Sequence, residues 1–324
     1  MDAVGAGQAR RRRVAAVVLG IGAVALIAGW SATAHAGRLL RPPAGWPDLA
    51  GAAVATADFP TGAKVDTQGY VKPGSGDLAE YDRSFADLSV VLRGKKLLGF
   101  EDDVTLGRSA SQADSTIKLL PLGLLLVSNQ IGKQFAKSAH IKVTYTKVGK
   151  PKSLAVGDDS VGALIRFGTK AGELRFVIGA VRVGQLDSLF FFVGVPRAQL
   201  GVPDAATIAR LAVKHVHAAM GPQNTAVPTI QGNAQVGQSL GALPGSWLSF
   251  PKGYAYQWQH CDASGANCTS IAGATSQIYV VAATDANATL RVVVTAQNAY
   301  GTGTATSAQT ALVPAPPVPG PSGP

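Results

Sequence analysis

Ile141, Val143 and Tyr145 alternate with Lys142, Thr144 and Thr146, a period of two that predicts a half-buried strand. Ala163, Ile165 and Phe167 alternate in the same way with Leu164 and Arg166, and apolar stretches over 174–183 and 188–195 follow, split by Gly184-Gln185. Strands that succeed one another through short turns predict antiparallel pairs. An earlier extended pair, 63–71 and 79–85, is expected to join them. Helical periodicity brackets this sheet. Ser109 opens a segment in which Ala113, Ile117 and Leu120 share a face until Pro121, and an apolar stretch from 122 to 127 continues toward Ile131 and Phe135. That stretch is too short to cross a bilayer, so burial against the sheet is the expectation. From 203 to 220, Ile208, Leu211, Ala212, His215 and Ala219 fall on one helical face. The expected first domain is therefore α+β, an antiparallel sheet with helices. Within it, Leu189-Phe190-Phe191-Phe192-Val193 is apolar on both faces, which favours a covered central strand over an open groove. The alternative is a cavity between sheet and helices that holds an apolar ligand.

Beyond residue 222 the pattern changes. Short segments separated by Gly, Asn and Pro turns run for about a hundred residues, the spacing of an all-β sandwich. Tyr254, Tyr256 and Trp258 lie on one face of a strand and Ala255, Gln257 and Gln259 on the other, which places Trp258 in a core. Segments 290–296 and 303–312 read as a last strand pair, joined through Asn298-Ala299-Tyr300-Gly301. After Val313 the chain is a proline-rich tail, 314–324, suited to extended polyproline conformation as a spacer or a ligand for a proline-reading partner.

Charge sharpens the boundary between these halves. Of 324 residues, 47% are hydrophobic and 15% charged, so the chain is globular, and its formal net charge is +10. Residues 37–222 carry 23 basic and 16 acidic side chains, whereas 223–324 carry two of each. With the turn-rich Gly221-Pro222-Gln223-Asn224, this sets the expected domains at 37–222 and 223–313. The N-terminus has its own order: Arg10 to Arg13, an uncharged apolar stretch from 14 to 30, then Ala34 and Ala36 as a small-x-small pair. Residues 1–36 read as an export signal cleaved after Ala36, or as a retained membrane anchor. Either way residues 37–324 lie outside the cytoplasm. No cysteine lies in the segment, which excludes a lipoprotein anchor.

Candidate chemistry is sparse. Glu101-Asp102-Asp103 and Asp158-Asp159 are the acidic clusters, lack the spacing of a calcium loop and read as solvated turns. His215 and His217 point about 200° apart on a helix and cannot share an ion. His140 and His260 are isolated. Asp159-Ser160 lacks the nucleophile elbow of a serine hydrolase, and neither Gly157 to Gly162 nor Gly74-Ser75-Gly76 has a phosphate-binding pattern. No catalytic residue, cofactor or metal site is expected. Arg93, Lys95, Lys96, Lys142, Lys147, Lys150 and Lys152 occur singly and without an aromatic platform, so nucleic acid is not the expected partner. They read as a solvated basic face, or as one attracted to anionic wall polymer or lipid headgroups.

Two resemblances complete the picture. Residues 227–313 resemble the bacterial immunoglobulin-like modules of actinobacterial surface proteins, through Trp247, Tyr256-Gln257-Trp258-Gln259, Cys261-Asp262, Asn267-Cys268, Ile271 to Thr275, Tyr279, Leu290-Arg291-Val292 and Asn298 to Gly301. Residues 45–220 resemble, more distantly, the α+β domains of actinobacterial extracytoplasmic lipoproteins and kinase sensors, through Gly157 to Gly162 and the final helix. Cys261 and Cys268 depart from the intersheet bond of antibody domains. With six residues between them in one loop and facing an oxidising exterior, they are expected to form a local disulfide. The reading is a noncatalytic secreted or cell-surface protein for adhesion, display or envelope binding. The alternatives are an apolar-ligand or lipid-binding domain, or a hydrolase of unrecognised type.

Overall fold

The computed structural model describes residues 42–315 except 60–62, 72, 74–76, 86–90, 111–116, 119, 121–123, 125–132, 134–135, 138–140 and 197. The expectations for residues 1–36, Gly74-Ser75-Gly76, His140, most of the helical stretch after Ser109 and the end of the proline-rich tail lie outside the described residues. The chain divides into two compact units, one containing Asp48–Ala219 and the other Met220–Pro324 with Gly45–Pro47. Strands joined in antiparallel sheets dominate both.

The first unit is built on one sheet. Its strands are β1 (Val65–Val71), β2 (Asp77–Phe85), β3 (Val91–Leu92), β4 (Lys95–Gly107), β5 (Tyr145–Val148), β6 (Lys152–Ser153), β7 (Asp159–Thr169), β8 (Gly172–Val183) and β9 (Leu186–Gly194). The order is β1-β2-β4-β9-β8-β7-β5, with β3 beside β4 and β6 beside β7. β9 lies between β4 and β8 and is buried along its whole length, so the Leu189 to Val193 stretch is the covered central strand that its pattern predicts. Phe191 faces one side with Ile165, Phe176 and Ile178, where the helical residues Ile117, Leu120 and Leu124 pack. Phe190 and Phe192 face the other with Phe85 and Phe100, where Ala205, Ile208, Ala209 and Ala212 of helix α1 (Val202–Met220) pack. Gly179 stands opposite Phe190, and a Cβ there would come within 2.5 Å of the phenyl ring.

The start of α1 also explains two basic residues. Asp204, 1% exposed, accepts the Gly201 N–H and the Lys95 ammonium, both at 2.8 Å, with Arg93 at 3.6 Å. A carboxylate in a first helical turn also opposes the positive end of the helix dipole. Lys95 is thus tied to the fold, while Arg93, 51% exposed, stays on the solvated basic face expected of it as it pairs with Asp204.

The second unit has two main sheets over one core. β11 (Thr229–Gln231), β12 (Ser239–Leu243) and β16 (Ile278–Val280) form one. β15 (Thr269–Ser270), β14 (Gly253–Cys261), β17 (Thr289–Asn298) and β18 (Gly301–Thr306) form the other. β10 (Gln223–Ala226) pairs with β13 (Ser246–Leu248). Leu240, Trp258, Leu290, Val292 and Val294 fill the space between, with Tyr279 stacked on Trp258 at 5.5 Å and the indole N–H donated to the Ser276 carbonyl at 2.9 Å. The expected strand 303–312 is corrected: β18 ends at Thr306. Ser307 and Thr310 accept the Val292 and Leu290 N–H groups through their hydroxyl oxygens, replacing ladder bonds, and the chain runs on to bury Val313.

The two cysteines are joined, Cys261 at the end of β14 and Cys268 just before β15, with Cα atoms 4.0 Å apart. So short a ring contributes about 2 kcal/mol by loop entropy. Asp262 organises the loop by accepting from the Ser264 hydroxyl and N–H, the Ala266 N–H and the Asn267 amide, which hold its carboxyl down at about 2.

Candidate functional site

β4 carries Glu101-Asp102-Asp103 through the middle of the sheet, paired with β2 on one side and β9 on the other. The solvated-turn expectation for this triplet is therefore corrected. Glu101 is 8% exposed, Asp102 0% and Asp103 7%. Alternation sends Asp102 to the α1 face and its two neighbours to the opposite face.

On the α1 face, Asp102 sits in the cross-strand row Gly179, Phe190, Asp102, Arg83, Gln68. It accepts the Val54 N–H at 2.8 Å and the Ser188 hydroxyl at 2.7 Å. Burial raises its pKa, the two donors together with the charges of Arg83 and His215 lower it, and the balance leaves it at about 6. Arg83 donates from Nη1 to the carbonyls of Ala53 and Val54 and from Nη2 to that of Ala50, so the segment before β1 is fastened beside Asp102.

On the opposite face the rows read differently. One runs Val161, Ala180, Leu189, Asp103, Asp82, Gly69, and the next Ala163, Ile178, Phe191, Glu101, Ser84, Thr67. Neither contains a basic residue. Oδ1 of Asp82 and Oδ1 of Asp103 are buried without a hydrogen-bond partner. Burial and then the neighbouring carboxylates lift Asp82 to about 7 and Glu101 to about 8, and push Asp103 well above the carboxylate range. The row beyond holds Asp159, Arg182, Asp187, Thr105 and Glu80, so Arg182 serves that row; its Nη1 also lies 3.4 Å from Asp158.

The remaining candidates are dispersed. Nε2 of His215 lies 2.7 Å from Asp58, and Nδ1 of His260 lies 3.2 Å from Asp285 in the other unit. His217 is exposed on the far side of α1. Asp158 accepts the Gly184 N–H at 2.7 Å and Asp159 the Ser160 N–H at 2.7 Å, as turn residues do. Gly157 takes φ +67°, and a Cβ would meet the Arg182 carbonyl at 2.5 Å, so this turn requires glycine for shape. Ser188, Asp102 and His215 do not form a relay: the hydroxyl donates straight to the carboxylate and the imidazole is engaged by Asp58. Among the described residues no group of three His, Cys, Asp or Glu side chains is placed to hold a metal ion, and no helix is long and apolar enough to cross a membrane.

Pairing with β7 gathers the basic residues that the sequence scatters. β5 and β6 both run along this strand at the edge of the sheet. Lys142, Lys147, Lys150 and Lys152 are all exposed there, with the Lys147 ammonium 5.3 Å from the ring centre of the 40% exposed Tyr145. The second unit offers a groove of about 260 Å³ beside Ile271, Gly273, Tyr279 and Val280.

No protein-family model and no curated protein matches the chain. Among solved structures, the chain is similar to the extracellular domain of PknH from Mycobacterium tuberculosis, at 10% identity and a TM-score of 0.30 over 44% of this chain. The match spans 66% of that chain, just under two thirds of its length.

Proposed function

We propose that this is an exported, noncatalytic envelope or surface protein whose first unit binds anionic wall polymer along the β5–β6 edge, with an immunoglobulin-like second unit as the display module. The observation that carries the reading is the row of four exposed lysines on one sheet edge, none of them in an ion pair within 4 Å among the described residues. Such a row raises the local concentration of a polyanion without demanding a shaped pocket. Export is supported by the basic, apolar and small-residue order of residues 10–36 and by the Cys261–Cys268 bond, which persists in an oxidising compartment. The immunoglobulin-like assignment is supported by the two-sheet core around Trp258.

The test is co-sedimentation of the full chain with purified anionic wall polymer, with anionic vesicles as a second arm. Retention on polymer at low salt is expected to fall at least tenfold at about 0.5 M salt, where charges are screened within a few ångströms. Replacing all four lysines by Gln is expected to abolish it. Absence of retention at low salt, or retention that survives the four substitutions, overturns the reading. Retention on vesicles alone replaces the polymer with a lipid surface.

A further inference from the structure

The acidic cluster lies on β2 and β4, in the other half of the sheet from the β5–β6 edge. Asp103 is buried opposite Asp82 in a cross-strand row that carries no basic residue, and Glu101 projects from the same face of β4. Among the described residues the cross-strand neighbours bring no charge of opposite sign: β1 brings Gly69 opposite Asp82, and β9 brings Leu189 beside Asp103 and Phe191 beside Glu101. The charged groups of the neighbouring row are Glu80, Asp187, Arg182 and Asp159, while Arg83 and His215 act on Asp102 from the reverse face. Ile117, Leu120 and Leu124, which pack over the apolar part of this face, are uncharged, and Lys118 beside them is exposed.

Glu101 and Asp103 are buried and Asp82 is half-buried with Oδ1 shut off from solvent, and carboxyl groups gathered this way, with no cation in their rows among the described residues, are costly to ionise together. The described side chains do not converge as a metal site. A proton needs no cavity, and it removes the charge from acids such as Asp82 and Asp103, whose Oδ1 atoms are buried without a hydrogen-bond partner. We propose that Asp82, Glu101 and Asp103 form a proton-binding cluster that holds the β1-β2-β4 half of the sheet together at neutral pH and loosens it when alkalinity strips the protons.

The sign follows from linkage. The folded cluster keeps protons that the unfolded chain releases near the ordinary carboxyl values of 3.8 and 4.5, so stability falls as pH rises, through about 7 for Asp82 and about 8 for Glu101. Asp102, at about 6, contributes mainly below that window.

The experiment is thermal melting of the full chain between pH 6.5 and 9. The transition of the first unit is expected to drop by roughly 5–10 °C across that range. Asp103→Asn, which mimics the protonated form, is expected to flatten the profile and to melt higher than the parent at pH 8.5; Glu101→Gln reads the same slope if Asp103→Asn does not fold. A flat parental profile overturns the proposal, as does a slope that survives both Asp103→Asn and Glu101→Gln. Recovery of the lost melting temperature at pH 8.5 on adding calcium also overturns it, and assigns the cluster to a metal.

Discussion

Asp102 and Asp103 are neighbours on one strand and almost equally buried, yet their surroundings differ in kind. Asp102 accepts from an N–H and a hydroxyl and feels the charges of Arg83 and His215, whereas Asp103 is surrounded by the charges of other carboxyl groups. Burial is common to both, so burial does not decide the state of the acid. The donors and charges that each face of the strand supplies decide it, and a turn of one residue along β4 is enough to exchange one supply for the other.

Removing the partners of Asp102 tests this contrast at its strong end. Asp102→Ala is expected to cost the first unit about 2–5 kcal/mol at pH 7, because it strands the buried Val54 N–H and the Ser188 hydroxyl together. Urea unfolding measures it, and a loss under 1 kcal/mol would show that the two faces are not different in the way described. Arg83→Met retains the apolar stem but deletes the donors to Ala50, Ala53 and Val54, and about 2 kcal/mol is expected to be lost. Proteolysis within 48–58 should quicken in the same variant, since the guanidinium pins that segment. The smallest effect belongs to Ser188→Ala, about 1 kcal/mol, with the Asp102 carboxyl shifted further upward from about 6 in a carbon-detected titration. A downward shift would mean that Ser188 does not donate to the ionised form.

These differences also mark what the chain discloses in one dimension. The alternation of Ala163, Ile165 and Phe167, the two-sided apolarity of residues 189–193 and the burial of Trp258 follow from side chains whose burial shows in their own chemistry, although Tyr254 on the same face as Trp258 is exposed. The helix Val202–Met220 is equally legible from its apolar stripe. The Cys261–Cys268 bond follows from spacing. β4 is not legible, because three successive acids have the composition of a turn and nothing local reports that both faces of the strand are covered. The donors to Asp102 come from residues 48 and 86 positions away, which no window along the chain brings together. The lysine row is hidden for the same reason, since β5 and β6 become one edge only when each finds β7.

That edge bears on how the molecule behaves in a crowd. The outer side of β5 ends the sheet and presents backbone groups on which another strand can add, the usual route to aggregation of β-rich proteins. Lys142, Lys147, Lys150 and Lys152 place like charges along the approach, so a second copy is repelled before its backbone can register. The residues that would draw a polyanion to the protein thus also keep the protein from its own kind, and neutralising them for one purpose costs the other.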